Sequence, residues 1–420
     1  MKTVGIIAEF NPFHRGHEYL IREARRLTAA DYVIIVMSGD FVQRGSIALL
    51  SKYRRAEMAL TEPLCADLVL ELPVLYASGS AEYFAEGGVS LLNGLGCVDT
   101  LIFGTETDQI DSLQRAAAFY ADPPESEPSL FRETLRSLSR QGVPFPKARM
   151  EAYLAVSGEG DAVREILQSP NNILSIEYMK AILRSQSRMQ PLPIIRIGQG
   201  HLDSSPGADF SVLSASSIRR SVLEGTIPER AMPDSARAIL LEEMKEGRIT
   251  FDRDLDLLLH DRLLSLTAFG ERPEALSRYL DVDPDLANRT ARSLAALSSF
   301  QELFSSLKTR QIPEARLRRA LLHILLDITK EKAEVWRKLG SPYAKILGFR
   351  REAAPLLTEI RRQGKIPLLS RLSQAESLLG DNAFHMLKAD LHATALRDMI
   401  LAEKTGKTQG SEYSRKILKI

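Results

Sequence analysis

The strongest constraint in this chain of 420 residues lies at its start: a compact apolar run that halts at a turn and resumes as a helix. Residues 3–10 lack polar alternation and read as a strand buried on both faces. Asn11-Pro12 breaks the run, because the residue before proline is pushed out of helical geometry. His14-x-Gly-His17 then opens a helix over 16–27, with Tyr19, Leu20, Ala24 and Leu27 expected on its inner face. The alternation repeats, with strands at 32–37, 67–72 and 100–104 and helices at 51–60, 80–92 and 108–120. Such short βα connections predict an α/β fold with a Rossmann-like, doubly wound parallel sheet. Helices at 129–140, 146–157 and 173–184, a strand at 191–197 and a helix at 217–224 complete a first domain, 1–225. Residues 226–420 read as a mostly α-helical C-terminal domain, with apolar spacing over 255–268, 273–280, 285–306, 312–339, 353–363 and 370–387.

Composition narrows the class. Apolar residues make up 44% and charged residues 26%, as in ordinary globular proteins. Two cysteines, Cys65 and Cys97, exclude a disulfide scaffold and fit a reducing cytoplasm. Only six uncharged residues separate Lys2 from Glu9, too few for a signal-peptide core. No apolar run reaches the ~20 residues of a membrane span, so no membrane partner is expected. Charge is unevenly spread: residues 301–420 hold 23 Lys and Arg against 13 Asp and Glu, while the remainder is acidic. That asymmetry suggests a polyanion partner for the final third, the alternative being solvated helix faces. The candidate contacts are Lys404, Lys407, Arg415, Lys416 and Lys419 near the end, with Arg361, Arg362 and Lys365 at a helix terminus.

The first βα junction carries the chemistry. A helix N-terminus offers free N–H groups and partial positive charge, which attract phosphate. Gly16 removes a side chain where a phosphate would approach. His14 and His17 can both face that phosphate as donors aimed at developing charge, as phosphoryl or nucleotidyl transfer requires. The alternatives are two histidines satisfied at a helix cap, or a zinc site, for which no third ligand lies nearby.

This junction resembles the HxGH nucleotidyltransferase superfamily, whose shared step is attack on the α-phosphate of a nucleoside triphosphate with loss of pyrophosphate. The second signature of that group, a Ser/Thr-rich strand end feeding a helix with Ile-Arg, is matched by Leu213-Ser-Ala-Ser-Ser-Ile-Arg219. Ser216 and Ser217 would cap that helix and donate to phosphates. Arg219 would neutralise the leaving pyrophosphate. No Lys-Met-Ser-Lys-Ser loop is present, which argues against an aminoacyl-tRNA synthetase.

Further segments make the resemblance more specific. Glu9-Phe-Asn-Pro-Phe-His-Arg-Gly-His17 and Met37-Ser-Gly-Asp-Phe-Val-Gln-Arg-Gly45 are similar to the bacterial tRNA(Met) cytidine acetate ligase family. So are Asp67-Leu-Val-Leu-Glu-Leu-Pro73, Phe103-Gly-Thr-Glu106, Pro170-Asn-Asn-Ile-Leu174, Arg196-Ile197 and Tyr343-Ala-Lys-Ile-Leu-Gly-Phe349. The resemblance implies a cytoplasmic enzyme that joins acetate to ATP, releasing pyrophosphate. It would then acetylate N4 of the wobble cytidine of elongator tRNA(Met). It further implies ATP contacts along the first loop: Ile7, Ala8, Glu9, Phe10, Asn11, Pro12, Phe13, His14, Arg15, Gly16, His17, Glu18, Tyr19 and Leu20. Further contacts would be Gly104, Asn171 or Asn172 (with Asn171 chosen by its distance to the Arg-Ile pair), Arg196 and Ile197. The segment after Ile197 departs from the family: Gly198-Gln-Gly200-His201 leads into Ser204-Ser-Pro-Gly-Ala208, a loose loop.

Other residues take their expected roles from position. Gly104 ends a strand where adenine or ribose can lie on bare backbone. Asp40, Gln43 and Arg44 follow the second strand at the same sheet edge and are candidates for acetate or phosphate, with Arg44 able to make a forked contact. Glu9 is read as fixing the Asn11 turn, and Lys52 and Arg55 as solvated charges more than ligands. Mg²⁺ is expected to accompany ATP, with no protein ligand assignable. Cys65, Cys97, Trp336, His260, His323, His385 and His392 read as structural. Two rivals stand beside the ligase: a small-molecule adenylyltransferase of coenzyme biosynthesis, which would not need the basic helical third, and a non-enzymatic tRNA-binding protein.

Overall fold

The computed structural model describes residues 1–61, 65–122, 128–196, 213–267, 273–294, 299–309 and 312–420. Its strands are β1 Thr3–Ala8, β2 Tyr32–Ser38, β3 Phe41–Val42, β4 Ser46–Ile47, β5 Leu68–Leu72, β6 Thr100–Thr105, β7 Gln190–Ile195, β8 Ala344–Phe349, β9 Leu368–Leu369 and β10 Leu418–Lys419. The main sheet runs β10-β8-β5-β2-β1-β6-β7, with β9 also paired to β8. β5-β2-β1-β6-β7 is parallel throughout, as βα alternation requires. The chain leaves β1 toward β2 and β5, then returns to β1's other flank at β6. That reversal places a crevice at the carboxyl ends of β1 and β6, where doubly wound sheets bind ligands.

The apolar runs are buried on both faces. Ile34 and Val36 of β2 join one core, while Val33, Ile35 and Met37 join the other. The first core is shared with later helices through Leu259, Leu321, Leu356 and Met386, so packing crosses residue 225. The second holds Ile218, Val222 and Leu240.

Several expectations shift in detail. The first helix, α1, spans Arg15–Thr28 and buries Ile21 and Ala24; Leu27 is 49% exposed. The inner face is therefore the 17-21-24 line, rotated from the one expected. The helix read over 312–339 is two helices, Glu314–Leu325 and Lys330–Leu339, parted where Asp327 adopts φ 55. The stretch 370–387 is divided at Leu379-Gly380, after which one helix runs Asp381–Thr405.

The largest departure is 343–349, assigned to the helical part by position. It forms β8, antiparallel to β5 and a neighbour of β9 and β10. A six-residue run flanked by helices lacks the length to declare its own state, and partner strands decide it. Trp336 is buried, and His323 is enclosed between the carbonyls of Leu280 and Ser78, 3.2 and 3.1 Å from its ring nitrogens.

Candidate active site

The turn after β1 is built to aim two imidazoles. Phe10 adopts φ 47, a left-handed conformation that reverses the chain before the cis Asn11–Pro12 peptide. Phe10 and Phe13 are fully buried, and their rings flank His17 with centroids 4.7 and 5.7 Å away. His14 is the N-cap of α1: its Nδ1 accepts from Gly16 N at 3.0 Å, while His17 Nδ1 accepts from His14 N at 3.3 Å. The two rings stack with centroids 3.8 Å apart. Since each Nδ1 accepts a backbone N–H, each neutral ring carries its proton on Nε2. The pair therefore presents donors at a helix N-terminus, the charge pattern a phosphate needs.

Both rings are held neutral. Burial, reinforced by the Arg196 guanidinium, pushes His14 down from 6.5 to about 3. His17 is lowered by burial, then by His14 and Arg196. Below pH 6.5 the unfolded chain takes up protons at these imidazoles and the folded chain does not, so stability is lost as pH falls from 6.5 toward 3. Thermal midpoints measured between pH 7 and 5 should therefore fall more steeply for the wild type than for a His14→Gln, His17→Gln double variant. Equal slopes would mean that the histidines do not titrate abnormally.

Arginines surround this donor pair. Burial lowers Arg196, and Arg44 acts in the same direction; burial and Arg44 likewise lower Arg219. Arg44 thus lies within electrostatic reach of both Arg196 and Arg219, and such a set of cations favours an anion among them. Arg219, on the helix Ala215–Leu223, donates through Nη1 to Asn11 O at 2.7 Å and through Nη2 to Ser216 Oγ at 3.1 Å. It thus ties the second signature directly to the first turn. Arg44 is exposed at the tip of the β3–β4 hairpin. Gly45 at that tip has φ +77, and a Cβ there would lie 2.4 Å from Arg319 N, so the hairpin is seated on the helix Glu314–Leu325. At Gly104 a Cβ would lie 2.9 Å from Arg196 Cγ; the bare backbone is the bed of the arginine's stem.

The remaining expected residues divide. Ser214, rather than Ser216 or Ser217, is the cap of its helix, accepting from Ser217 N at 3.2 Å; Ser216 and Ser217 are exposed in the first turn. A helix needs one acceptor at its N-cap, and the earlier serine of the run has the extended backbone that suits it. Asn172 is buried, its Oδ1 taking Thr105 Oγ1 and Glu106 N at 2.8 Å each and its Nδ2 donating to Ile166 O at 3.0 Å. Asn171 is half-buried and bonded to Glu106. Ile7 is buried and Ala8 half-buried at the end of β1. Arg15 donates to Arg230 O at 3.1 Å and is paired with Glu18, while Tyr19 and Leu20 pack under α1's second turn. Ile197 and the loop after it lie outside the described residues.

Asp40 is buried: its Oδ1 accepts Lys52 N at 3.0 Å with Arg397 Nε 3.6 Å away, while among the described residues its Oδ2 has no hydrogen-bond partner. Two expectations are corrected. Lys52 and Arg55 are fully buried, where solvated charges were expected. Arg55 donates to Leu50 O, Glu9 O and Ser38 O at 3.1, 2.6 and 3.1 Å and to Gly39 O, clamping the carboxyl ends of β1 and β2. Glu9 does not fix the Asn11 turn, which is held by Arg219 and by Leu49 N on Asn11 Oδ1 at 2.9 Å; its Oε1 accepts Gln43 N at 2.8 Å. No short-range pattern marks Arg55 as buried, because three of its four main-chain partners, Glu9, Ser38 and Gly39, lie in earlier elements.

Neutral imidazole donors at a helix N-terminus, ringed by arginines at a sheet's switch point, define a nucleotidyltransferase site of the HIGH class. A family model described as HIGH Nucleotidyl Transferase matches residues 1–412. Curated tRNA(Met) cytidine acetate ligases from Acetivibrio thermocellus and Thermoanaerobacter sp. are 34% and 33% identical, each alignment covering 100% of both chains. The crystal structure of Thermotoga maritima TmcAL bound with alpha-thio ATP superposes with a TM-score of 0.89 at 28% identity, covering 100% of both chains. The chain belongs to the tRNA(Met) cytidine acetate ligase family.

Proposed function

We propose that the protein activates acetate with ATP to acetyl-adenylate and pyrophosphate, then acetylates N4 of the wobble cytidine of elongator tRNA(Met) in the cytoplasm. The observation that carries this reading is the paired Nε2–H donors of His14 and His17 beside Arg44, Arg196 and Arg219. That set stabilises charge developing on phosphate oxygens as acetate attacks the α-phosphate. The family relation supplies the acceptor. An acetate-dependent ATP–pyrophosphate exchange assay tests the first half; exchange without acetate, or none with it, would overturn the proposal. A small-molecule adenylyltransferase is disfavoured by full-length likeness to the ligases.

Among the described residues no group of three or more His, Cys, Asp or Glu could hold a metal ion. The donors at the site suit phosphate oxygens and not a cation, so the site does not fit a protein-held metal. Mg²⁺, when present, would ride on the ATP phosphates and water. Among the described residues no helix is long and apolar enough to cross a membrane.

The basic charges proposed to meet the tRNA differ in how free they are. Lys404 is paired with Asp254 at 2.8 Å, Arg415 with Asp398 at 2.7 Å and Arg362 with Glu359 at 2.5 Å. Arg361, Lys365 and Lys416 are solvent-facing and have no ion pair among the described residues, and Lys419 is exposed over the Phe349 ring. Charge reversal at Lys416, Lys419 and Arg361 should weaken tRNA binding and flatten its dependence on log salt by about 0.7 per lost phosphate contact. Acetate-dependent exchange should persist, because those residues lie away from the histidine turn. Unchanged affinity and slope would place the RNA elsewhere.

A further inference from the structure

Acetyl transfer sets a demand that adenylation does not. The N4 amine of cytidine must lose a proton as it attacks the acetyl carbonyl, so the site needs a proton acceptor. The histidines cannot serve: each Nδ1 accepts a backbone N–H and each Nε2 already bears hydrogen. The arginines are permanent donors. Three carboxylates lie within electrostatic reach of Arg196 or Arg219: Glu106, Asp252 and Glu9. Glu106 has both oxygens engaged, by Ser169 Oγ and Asn171 Nδ2. Asp252 accepts from Ile47 N at 3.3 Å and from Arg318 Nη1 at 2.8 Å. Glu9 uses only Oε1, on Gln43 N; among the described residues no donor meets its Oε2.

Glu9 is also fixed in place. Its carbonyl is held by buried Arg55 at 2.6 Å, and its side chain by the loop after β2. Within its electrostatic reach is Tyr178, 2% exposed, packed on Phe103 with ring centroids 5.3 Å apart. Among the described residues the Tyr178 hydroxyl has no hydrogen-bond partner. A buried hydroxyl left unpaired beside a half-used carboxylate marks a polar ligand subsite.

Resting on the acetate-ligase reading, we propose that Glu9 is the catalytic base of acetyl transfer. The cytidine N4 lone pair forms the C–N bond to the acetyl carbon. The acetyl C–O bond to AMP breaks, with AMP keeping the electron pair, and the N4 proton passes to Glu9 Oε2 and then to water.

The test separates the two half-reactions. Glu9→Gln keeps an acceptor for Gln43 N but removes the basic carboxylate. Single-turnover transfer from enzyme-bound acetyl-adenylate to tRNA(Met) should fall about 10²-fold, the scale of a lost general base, and that fall should exceed any loss of acetate-dependent exchange at saturating ATP by about tenfold or more. Hydroxylamine, a free amine needing no side-chain base, should still be acetylated by the variant. Glu9→Asp, which keeps the charge and serves if the glutamine variant folds poorly, should restore much of the transfer rate. Transfer at the wild-type rate, or exchange and transfer falling in parallel, would overturn the assignment. Absence of acetate-dependent exchange in the wild type would instead overturn the proposed function.

Discussion

His14→Ala is expected to slow acetyl-adenylate formation by about 10²–10³, the loss seen when one preorganised donor is removed from a transition state. Its Nε2–H faces the α-phosphate in the proposed reaction, while its Nδ1 caps α1. The alanine therefore removes two things at once, and the lost cap costs ~1 kcal/mol of stability. His14→Asn separates them. Asparagine is a good N-cap, so the helix start and the thermal midpoint should be retained while the rate stays as low as in the alanine variant. Pre-steady-state formation of acetyl-adenylate, with thermal unfolding in parallel, gives both readouts. Wild-type rates in either variant would remove His14 from the chemistry.

Lys52→Met is expected to have the largest effect on stability. The lysine Nζ touches both Glu71 oxygens at 2.8 and 3.0 Å, Glu412 Oε1 at 2.8 Å and Thr394 Oγ1 at 2.6 Å. Burial opposes its charge, but Glu71, Glu412 and Asp40 together raise it well above its ordinary value. Lys345 bridges the same two glutamates at 2.8 and 2.6 Å. Removing one cation leaves two buried carboxylates sharing the other, a loss of about 3–5 kcal/mol for a broken buried pair. Chemical denaturation measures it. A Lys52→Met, Glu71→Gln double variant should lose less than the sum of the single losses, because the orphaned charge leaves with its partner. Additive losses would mean that the residues do not act as a pair.

What the sequence disclosed follows the range of the forces involved. Strands β1, β2, β5 and β6 and the helices between them were readable because each is apolar enough to state its own period. His14, His17 and Arg219 were readable because their chemistry depends on local spacing. Arg196 was expected from family likeness alone; its bed on Gly104 is a contact between two strand ends. Lys52 and Arg55 were misread because a charged residue on a helix looks solvated until distant partners, such as Glu412 for Lys52 and the Glu9 carbonyl for Arg55, are brought to it. Glu9 was legible as part of the first-loop motif, but neither its free Oε2 nor Tyr178 could be singled out, since their significance lies in partners they lack among the described residues.

The antiparallel strand β8 has a bearing on how the protein is made. β5 is an apolar strand buried in the interior of the finished sheet, yet the neighbour that covers its second side begins at Ala344. During synthesis at ~5–20 residues per second, that edge stays open on the order of tens of seconds. An exposed apolar edge is a template for pairing with other chains. A ribosome that stalls or terminates before residue 344 would therefore release a chain with its nucleotide-site motifs written in full but with a sticky, unfinished sheet. Its natural fate is capture by a chaperone or loss to aggregation.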